Sequence, residues 1–329
     1  MKASDHSVLQ FGASGPEVAD LQARLEAQGC PTGMDPAGSF RAGTRAAVEA
    51  FQYRRGLRVD GICGPQTWSG LIEAGFSLGD RFLFRRTPML RGDDVAELQQ
   101  RLSALGFDAG RVDGIFGDLT STALGEFQRN AGLPVDGLAG ADTVSALLRF
   151  GTRHQDSELV TNVRDRESMR SSPNSLAGLR VALGADAGFQ LCIEALRQTI
   201  LDQGVTVSTH HHPDPTIQAA EANACRADLY LGFTSEGSSP PGRAAYYTGF
   251  RYTSAGGHRF ADLLVEELGR HTSLTGLESV GMAIPLLRET RMPAVICDIS
   301  SIEDMAAQRN EIADSVVTAI TRWIETPWD

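Results

Sequence analysis

The segment VADLQARLEAQG at 18–29 returns as VAELQQRLSALG at 95–106, and AVEAFQYRRGLRVDGICGPQTWSGL at 47–71 returns as ALGEFQRNAGLPVDGLAGADTVSAL at 123–147. A chain that repeats itself in this way carries two copies of one small module. In the second copy Val95, Leu98, Leu102 and Leu105 recur at helical spacing, then Ala123, Leu124 and Phe127, then Val144, Leu147 and Leu148. Three short helices per copy are predicted. Between them, DAGRVDGIFGDLT and GLPVDGLAGADT carry Asp-Gly pairs suited to positive φ, followed by an Asp or Thr able to cap the next helix. A module of about sixty residues lies near the lower limit for independent folding, so pairing two copies is physically sensible.

Residues 152–177 are polar, charged and Ser-rich without sustained periodicity, and read as a linker. From 178 onward strands alternate with helices. GLRVAL is a strand, and GFQLCIEALRQTILDQG is a helix with Leu191, Ala195, Leu196 and Ile200 inward. VTVST, DLYLGF and PAVICDIS are further strands, and AAYYTGF is a more exposed one. TIQAAEANACRA, AGGHRFADLLVEELGRHT and the amphipathic QRNEIADSVVTAITRWIE are helices. Such alternation predicts an α/β domain with a mostly parallel sheet. The expected fold class is therefore multidomain: three-helix modules at 1–78 and 86–151, a linker at 152–177, and the α/β domain at 178–329.

The 329 residues carry a formal charge of −11, from 41 acidic and 30 basic side chains. That balance argues against nucleic acid or an anionic membrane as the main partner. No stretch approaches the roughly twenty apolar residues of a membrane span. The opening MKASDHSVLQFGASG has no apolar run of the length a signal peptide uses, and reads as unexported, hence cytoplasmic. Cys30, Cys63, Cys192, Cys225 and Cys297 are odd in number, widely spaced and without a CxxC pair, the last three among apolar residues. Free, partly buried thiols are expected, and no cysteine zinc site.

The pattern VxxLQxxLxxLG, DGxFGxxTxxAxxxFQ, GLxxDGxxGxxTxxxL resembles the type 1 peptidoglycan-binding domain of cell-wall hydrolases. The second copy follows it nearly throughout; the first departs at CPTGMDPAGSFRAGT, where the turn is rewritten with an extra residue. EANACRADLYLGF and LLRETRMPAVICDIS, with the order of elements, make 178–325 similar to the zinc-dependent N-acetylmuramoyl-L-alanine amidases of the amidase-3 type. That resemblance implies a zinc held by two histidines and a glutamate, an acidified water in the open position, and a second glutamate as base. The first histidine falls at Ala187, beside Asp186. The loop that carries the glutamate ligand is absent, and Glu194 lies inside a helix one turn from Arg197 and Gln198. The second histidine falls at Thr234, a poor zinc ligand. The base falls at Asp298, one methylene short. No catalytic residue, metal ligand or cofactor is therefore expected. Asp298 is a vestigial base position, and Asp186, Ala187, Thr234, Glu236 and Asp298 form a vestigial cleft.

Two metal arrangements stay open. In THHHPD at 209–214, His210 and His212 share one side of an extended segment and could converge on a metal, with an exposed loop as the other reading. Asp186, Glu236 and Asp298, near strand ends, could gather for a harder ion such as magnesium. His258 and His271 flank a helix as caps or charges. Ser300 and Ser301 have no histidine neighbour in sequence, and Thr326 and the Ser-rich linker offer phosphorylation sites. The whole resembles the cytoplasmic pseudo-amidases of the CwlM type. That implies a non-catalytic regulator of peptidoglycan precursor synthesis, whose partner is a protein of that pathway, a peptidoglycan fragment or a precursor. The alternatives are an active N-acetylmuramoyl-L-alanine amidase, which would need zinc, and a wall-binding structural module.

Overall fold

The structure, a computed structural model, describes residues 8–151, 175–185, 189–235, 242–249, 251–274, 276–299 and 302–325. The chain divides into two compact units, one holding the six N-terminal helices and the other the sheet.

The helices of the first unit are α1 (Pro16–Ala27), α2 (Ala42–Arg54) and α3 (Pro65–Ala74), then α4 (Asp93–Ala104), α5 (Asp118–Asn130) and α6 (Ala141–Gly151). Each module encloses its own core. Val18, Leu21, Leu25, Phe40, Val48, Phe51, Trp68 and Leu71 fill the first, and Leu98, Leu102, Phe116, Leu124, Phe127 and Leu147 the second. The repeat runs deeper than two copies. One buried glutamine on each of α1, α2, α4 and α5 fastens the turn that leads into the following helix. Gln99 reaches Asp113 Oδ1, the Ile115 carbonyl and Thr120 Oγ1 through Nε2 at 3.0–3.1 Å, and its Oε1 accepts from Gly114 N at 2.9 Å. Gln52 binds Asp60, Ile62, Thr67 and Gly61 in the same way, and Gln128 binds Asp136, Leu138, Thr143 and Gly137. Each Asp-Gly turn needs its glycine, because Gly61, Gly114 and Gly137 all stand at positive φ near 70°.

The fourth copy is the rewritten one. Gln22 still reaches Pro36 O, Ser39 O and Thr44 Oγ1, and accepts from Gly38 N, yet Ala37 stands where the other turns have aspartate. Asp35 compensates from two residues earlier, accepting backbone N–H groups of Arg41, Gly43 and Thr44 at the start of α2. Desolvation alone would raise its pKa, but these donors outweigh it and hold the carboxyl below the ordinary value. The modules are joined by the fork of Arg55 on Asp93 at 2.8 and 2.7 Å. Beside it Arg81 lies over the Phe76 ring and bonds the buried Asp94.

The second unit holds a six-stranded sheet: β1 (Arg180–Ala185), β2 (Thr206–His210), β3 (Leu229–Thr234), β4 (Arg243–Tyr247), β5 (Glu278–Met282) and β6 (Ala294–Asp298), in the order β2-β1-β3-β6-β4-β5. The first four in that order are parallel; β4 runs antiparallel to β6, and β5 parallel to β4. The helices are α7 (Gln190–Leu201), α8 (Pro215–Ala224), α9 (Ala255–His271), α10 (Pro285–Glu289), α11 (Ile302–Ala307) and α12 (Arg309–Glu325). On one face α7, α9 and α12 bury Val181, Leu183, Leu229, Leu231, Phe233, Val295 and Cys297, and α8 and α10 pack on the other face. Glu267 on α9, nearly fully buried, is held by Arg270 and by Arg322 of α12.

The sequence reading requires four corrections here. The inward stripe of α7 includes Cys192 and Ile193 beside Leu196 and Ile200, with Ala195 at its border, because the helix packs against both the sheet and α12, while the Leu191 side chain lies outside the described residues. The strand in AAYYTGF is interior, held between β6 and β5, and Ala244, Ala245 and Tyr247 are buried. The strand β5 and the short helix α10, not anticipated, provide its cover. Cys225 is exposed, because it caps the end of α8.

The glutamine hubs generate a direct expectation. Gln99→Ala leaves Gly114 N, the Ile115 carbonyl and Thr120 without their common partner in a buried place, a loss of about 1–3 kcal/mol. A lowered denaturant midpoint for the N-terminal unit, with helix content retained under native conditions, is the expected measurement.

Candidate functional site

The parallel ladder between β3 and β6 ends on the pair Thr234 and Asp298, and Ile299 N donates to the Thr234 carbonyl at 3.0 Å, so the two strand ends emerge side by side. The antiparallel ladder between β4 and β6 sets Arg243 opposite the same Asp298. The result is a threonine, an aspartate and an arginine at the carboxyl end of the central strands, where ligand sites in α/β sheets gather. Arg243 Nη2 lies 3.2 Å from Asp298 Oδ2, with side chains 29% and 17% exposed. Gly242 permits this approach, since a Cβ there would stand 2.7 Å from the Asp298 carbonyl oxygen. Cys297 points the other way into the core, and burial, helped by the Asp298 charge, pushes its thiol up to about 12, so it offers no thiolate.

Of the vestigial cleft, Thr234 and Asp298 are thus brought together. Asp186, Ala187 and Glu236 lie outside the described residues. Only three residues separate the last strand residue Ala185 from Phe189, which precedes α7. Glu194 is exposed on α7 and tied to Arg197 and Gln198, which hold its carboxyl down at about 2.

The histidine tract is arranged differently from either expectation. His210 is the last residue of β2 and is 8% exposed, not part of an exposed loop. Its Nε2 lies 3.0 Å from Ser208 Oγ, and its Nδ1 lies 3.5 Å from Glu221 Oε2 on α8. His212 instead accepts the Asp214 N–H on its Nδ1 at 3.0 Å, in the turn that leads to the Asp214 cap of α8. The two rings therefore serve separate local structures and do not converge. Among the described residues no group of three or more His, Cys, Asp or Glu side chains is placed to hold a metal ion.

Arg243 is the residue that sequence reasoning missed. Its signal lay only in the pairing partner of the fourth strand, which periodicity does not encode. His258 stacks on Tyr246 with ring centroids 4.3 Å apart and faces Asp262; His271 lies 3.4 Å from Glu267. Both lie on the helix surface, while Ser300, Ser301 and Thr326 lie outside the described residues.

Burial holds His210 below its ordinary value of 6.5 despite the attraction of Glu221. A depressed pKa in the folded state contributes stability above pH 6.5 that is lost as the pH falls through the folded value, because the unfolded chain binds the proton first. Denaturant midpoints between pH 8 and 5 should therefore fall more steeply for the native chain than for His210→Gln.

The N-terminal repeats match the peptidoglycan binding domain family at residues 14–71 and 91–147. The whole chain is 32% identical to N-acetylmuramoyl-L-alanine amidase CwlM of Mycobacterium tuberculosis, over 98% of this chain and 90% of that protein. N-acetylmuramoyl-L-alanine amidase CwlL of Bacillus licheniformis is 35% identical over 44% of this chain and 46% of its own length. Among solved structures, the N-acetylmuramyl-L-alanine amidase Ami1 of Mycobacterium smegmatis aligns at 16% identity over 46% of this chain and 98% of that one, with a TM-score of 0.38. With a relative this similar along nearly its full length, two peptidoglycan-binding modules and an α/β domain whose central strands end on Thr234 and Asp298, the chain belongs to the N-acetylmuramoyl-L-alanine amidase family.

Proposed function

We propose that this member of the family is a pseudo-amidase, non-catalytic at the amidase cleft, and that it acts in the cytoplasm as a regulator of peptidoglycan precursor synthesis. It does so by binding a protein of that pathway or a peptidoglycan fragment or precursor. The observation that carries the reading is the trio at the strand ends. Thr234 stands where the resemblance requires a histidine, and the shortened base Asp298 is bridged by Arg243. A hydrolase of this type needs three protein ligands on zinc, a metal-bound water, and a carboxylate free to take its proton. Thr234 is a poor donor to zinc, Ala187 has no donor at all, and an arginine across the cleft occupies the carboxylate's charge. The resident cation of this cleft is a guanidinium, fixed in the chain and unable to acidify a water. The retained modules support recognition of peptidoglycan chemistry. Among the described residues no helix is long and apolar enough to cross a membrane.

The test is the zinc content of the untagged full-length protein after dialysis against trace zinc, alongside hydrolysis of muropeptide. Less than about a tenth of an equivalent and no released peptide are expected, since this chemistry requires the metal to acidify its water. Stoichiometric zinc with cleavage abolished by Asp298→Asn overturns the reading and makes the chain an amidase. A pull-down from cytoplasmic extract should retain a precursor-pathway enzyme equally well with and without a chelator.

A further inference from the structure

The sheet's other polar concentration lies on its edge strand, two strands away from β3 and outside the Thr234–Asp298–Arg243 cleft. Ser208 and His210 are two residues apart on β2, so the strand period turns both side chains to the same face, and Glu221 reaches that face from α8. Ser208 Oγ stands 3.0 Å from Nε2 of His210, and Glu221 Oε2 stands 3.5 Å from Nδ1. Gln218, one turn before Glu221, donates to the His210 carbonyl at 3.0 Å and pins the strand end to the helix. Gly184, the neighbour of His210 on β1, leaves the room this needs, since a Cβ there would stand 2.6 Å from Gln218 Nε2 and 1.8 Å from the Tyr230 hydroxyl.

We propose that Ser208 is an activated nucleophile with His210 as its base and Glu221 as the positioning residue. Its substrate class is an ester or thioester whose acyl group the serine takes up. With Glu221 facing Nδ1, the proton of the neutral ring sits on that nitrogen and the lone pair of Nε2 faces the serine hydroxyl. The 3.5 Å separation on the Glu221 side is a ground-state distance, of the kind that tightens when substrate binds. A donor for the developing oxyanion stands next in sequence. Thr206 N donates to Leu179 O across the ladder, so alternation along β2 directs the Ser208 and His210 amides inward and leaves the Thr209 N–H on the open edge of the sheet. In the acyl-transfer step Ser208 Oγ bonds to the carbonyl carbon while its proton passes to Nε2. The carbon–oxygen or carbon–sulfur bond then breaks, and Nε2 returns the proton to the departing alkoxide or thiolate. Water repeats the sequence and releases the acid. No metal enters, so the proposal stands apart from the reading of the cleft.

The experiment treats the folded full-length protein with excess fluorophosphonate probe and reads the intact mass. The serine oxygen replaces fluoride on phosphorus, and fluoride leaves. One adduct is expected, mapped to Ser208 by peptide mass spectrometry, unaffected by EDTA and lost in Ser208→Ala. His210→Gln should slow labelling at least about 100-fold, the usual share of a general base. Glu221→Gln should slow it at least about 10-fold, with an unchanged melting temperature, because a neutral amide neither stabilises the ring's charge nor enforces the tautomer with its lone pair on the serine. Glu221 is 47% exposed, so that variant carries the test if His210→Gln does not fold. Absence of an adduct in the native chain, an adduct that persists in Ser208→Ala, or a Ser208 labelling rate indifferent to Glu221→Gln overturns the proposal.

Discussion

The parallel pairing of β3 with β6 is the constraint on which the functional architecture depends. It brings Thr234 and Asp298 to the same level of the sheet, and the antiparallel return of β4 then delivers Arg243 to the same carboxylate. Strand register is specified by which side chains are buried, and a slip of one residue would turn the apolar series Leu229, Leu231 and Phe233 out of the core. The trio at the strand ends is therefore as firmly placed as the core beneath it. Each of the three side chains stands at an end of its strand, only partly buried, beside the buried residues that fix the register.

The residues that make the family resemblance visible are fasteners. Asn223 of EANACRADLYLGF donates to the Glu289 carbonyl at 2.8 Å and accepts from Arg291 N at 2.7 Å, tying α8 to the turn that RETRMP forms before β6. Asp228 of the same segment accepts from Arg180 N and pairs with the Arg180 guanidinium, closing the start of β1 against β3. In the N-terminal modules the glutamines, Asp-Gly turns and following threonines serve the same end. A sequence can keep every one of these and still have no metal ligand, since buried hydrogen-bonded groups are costly to lose whatever the cleft does.

This division explains what was legible in the sequence. The two modules, their helices and the alternating α/β layer follow from periodicity, turn residues and repetition, all local signals. The identity of Thr234 and the short span before α7 were legible too, because they are read directly as letters and lengths. Arg243 was not, since its role arises from an antiparallel pairing across more than fifty positions of chain, and the strand that carries it looked exposed when judged alone. The histidine tract misled for the same reason. Alternation put His210 and His212 on one side, but the strand ends at His210, and the helix that supplies Glu221 and the turn that captures His212 are tertiary facts.

Charge at the cleft completes the argument. A zinc centre concentrates two positive charges on a point with an open position, and its effect on a bound water comes from that concentration. Arg243 supplies one positive charge spread over a planar group, already facing a carboxylate across 3.2 Å. Removing either partner would leave the other partly buried beside a strand end, so the pair is self-retaining once formed.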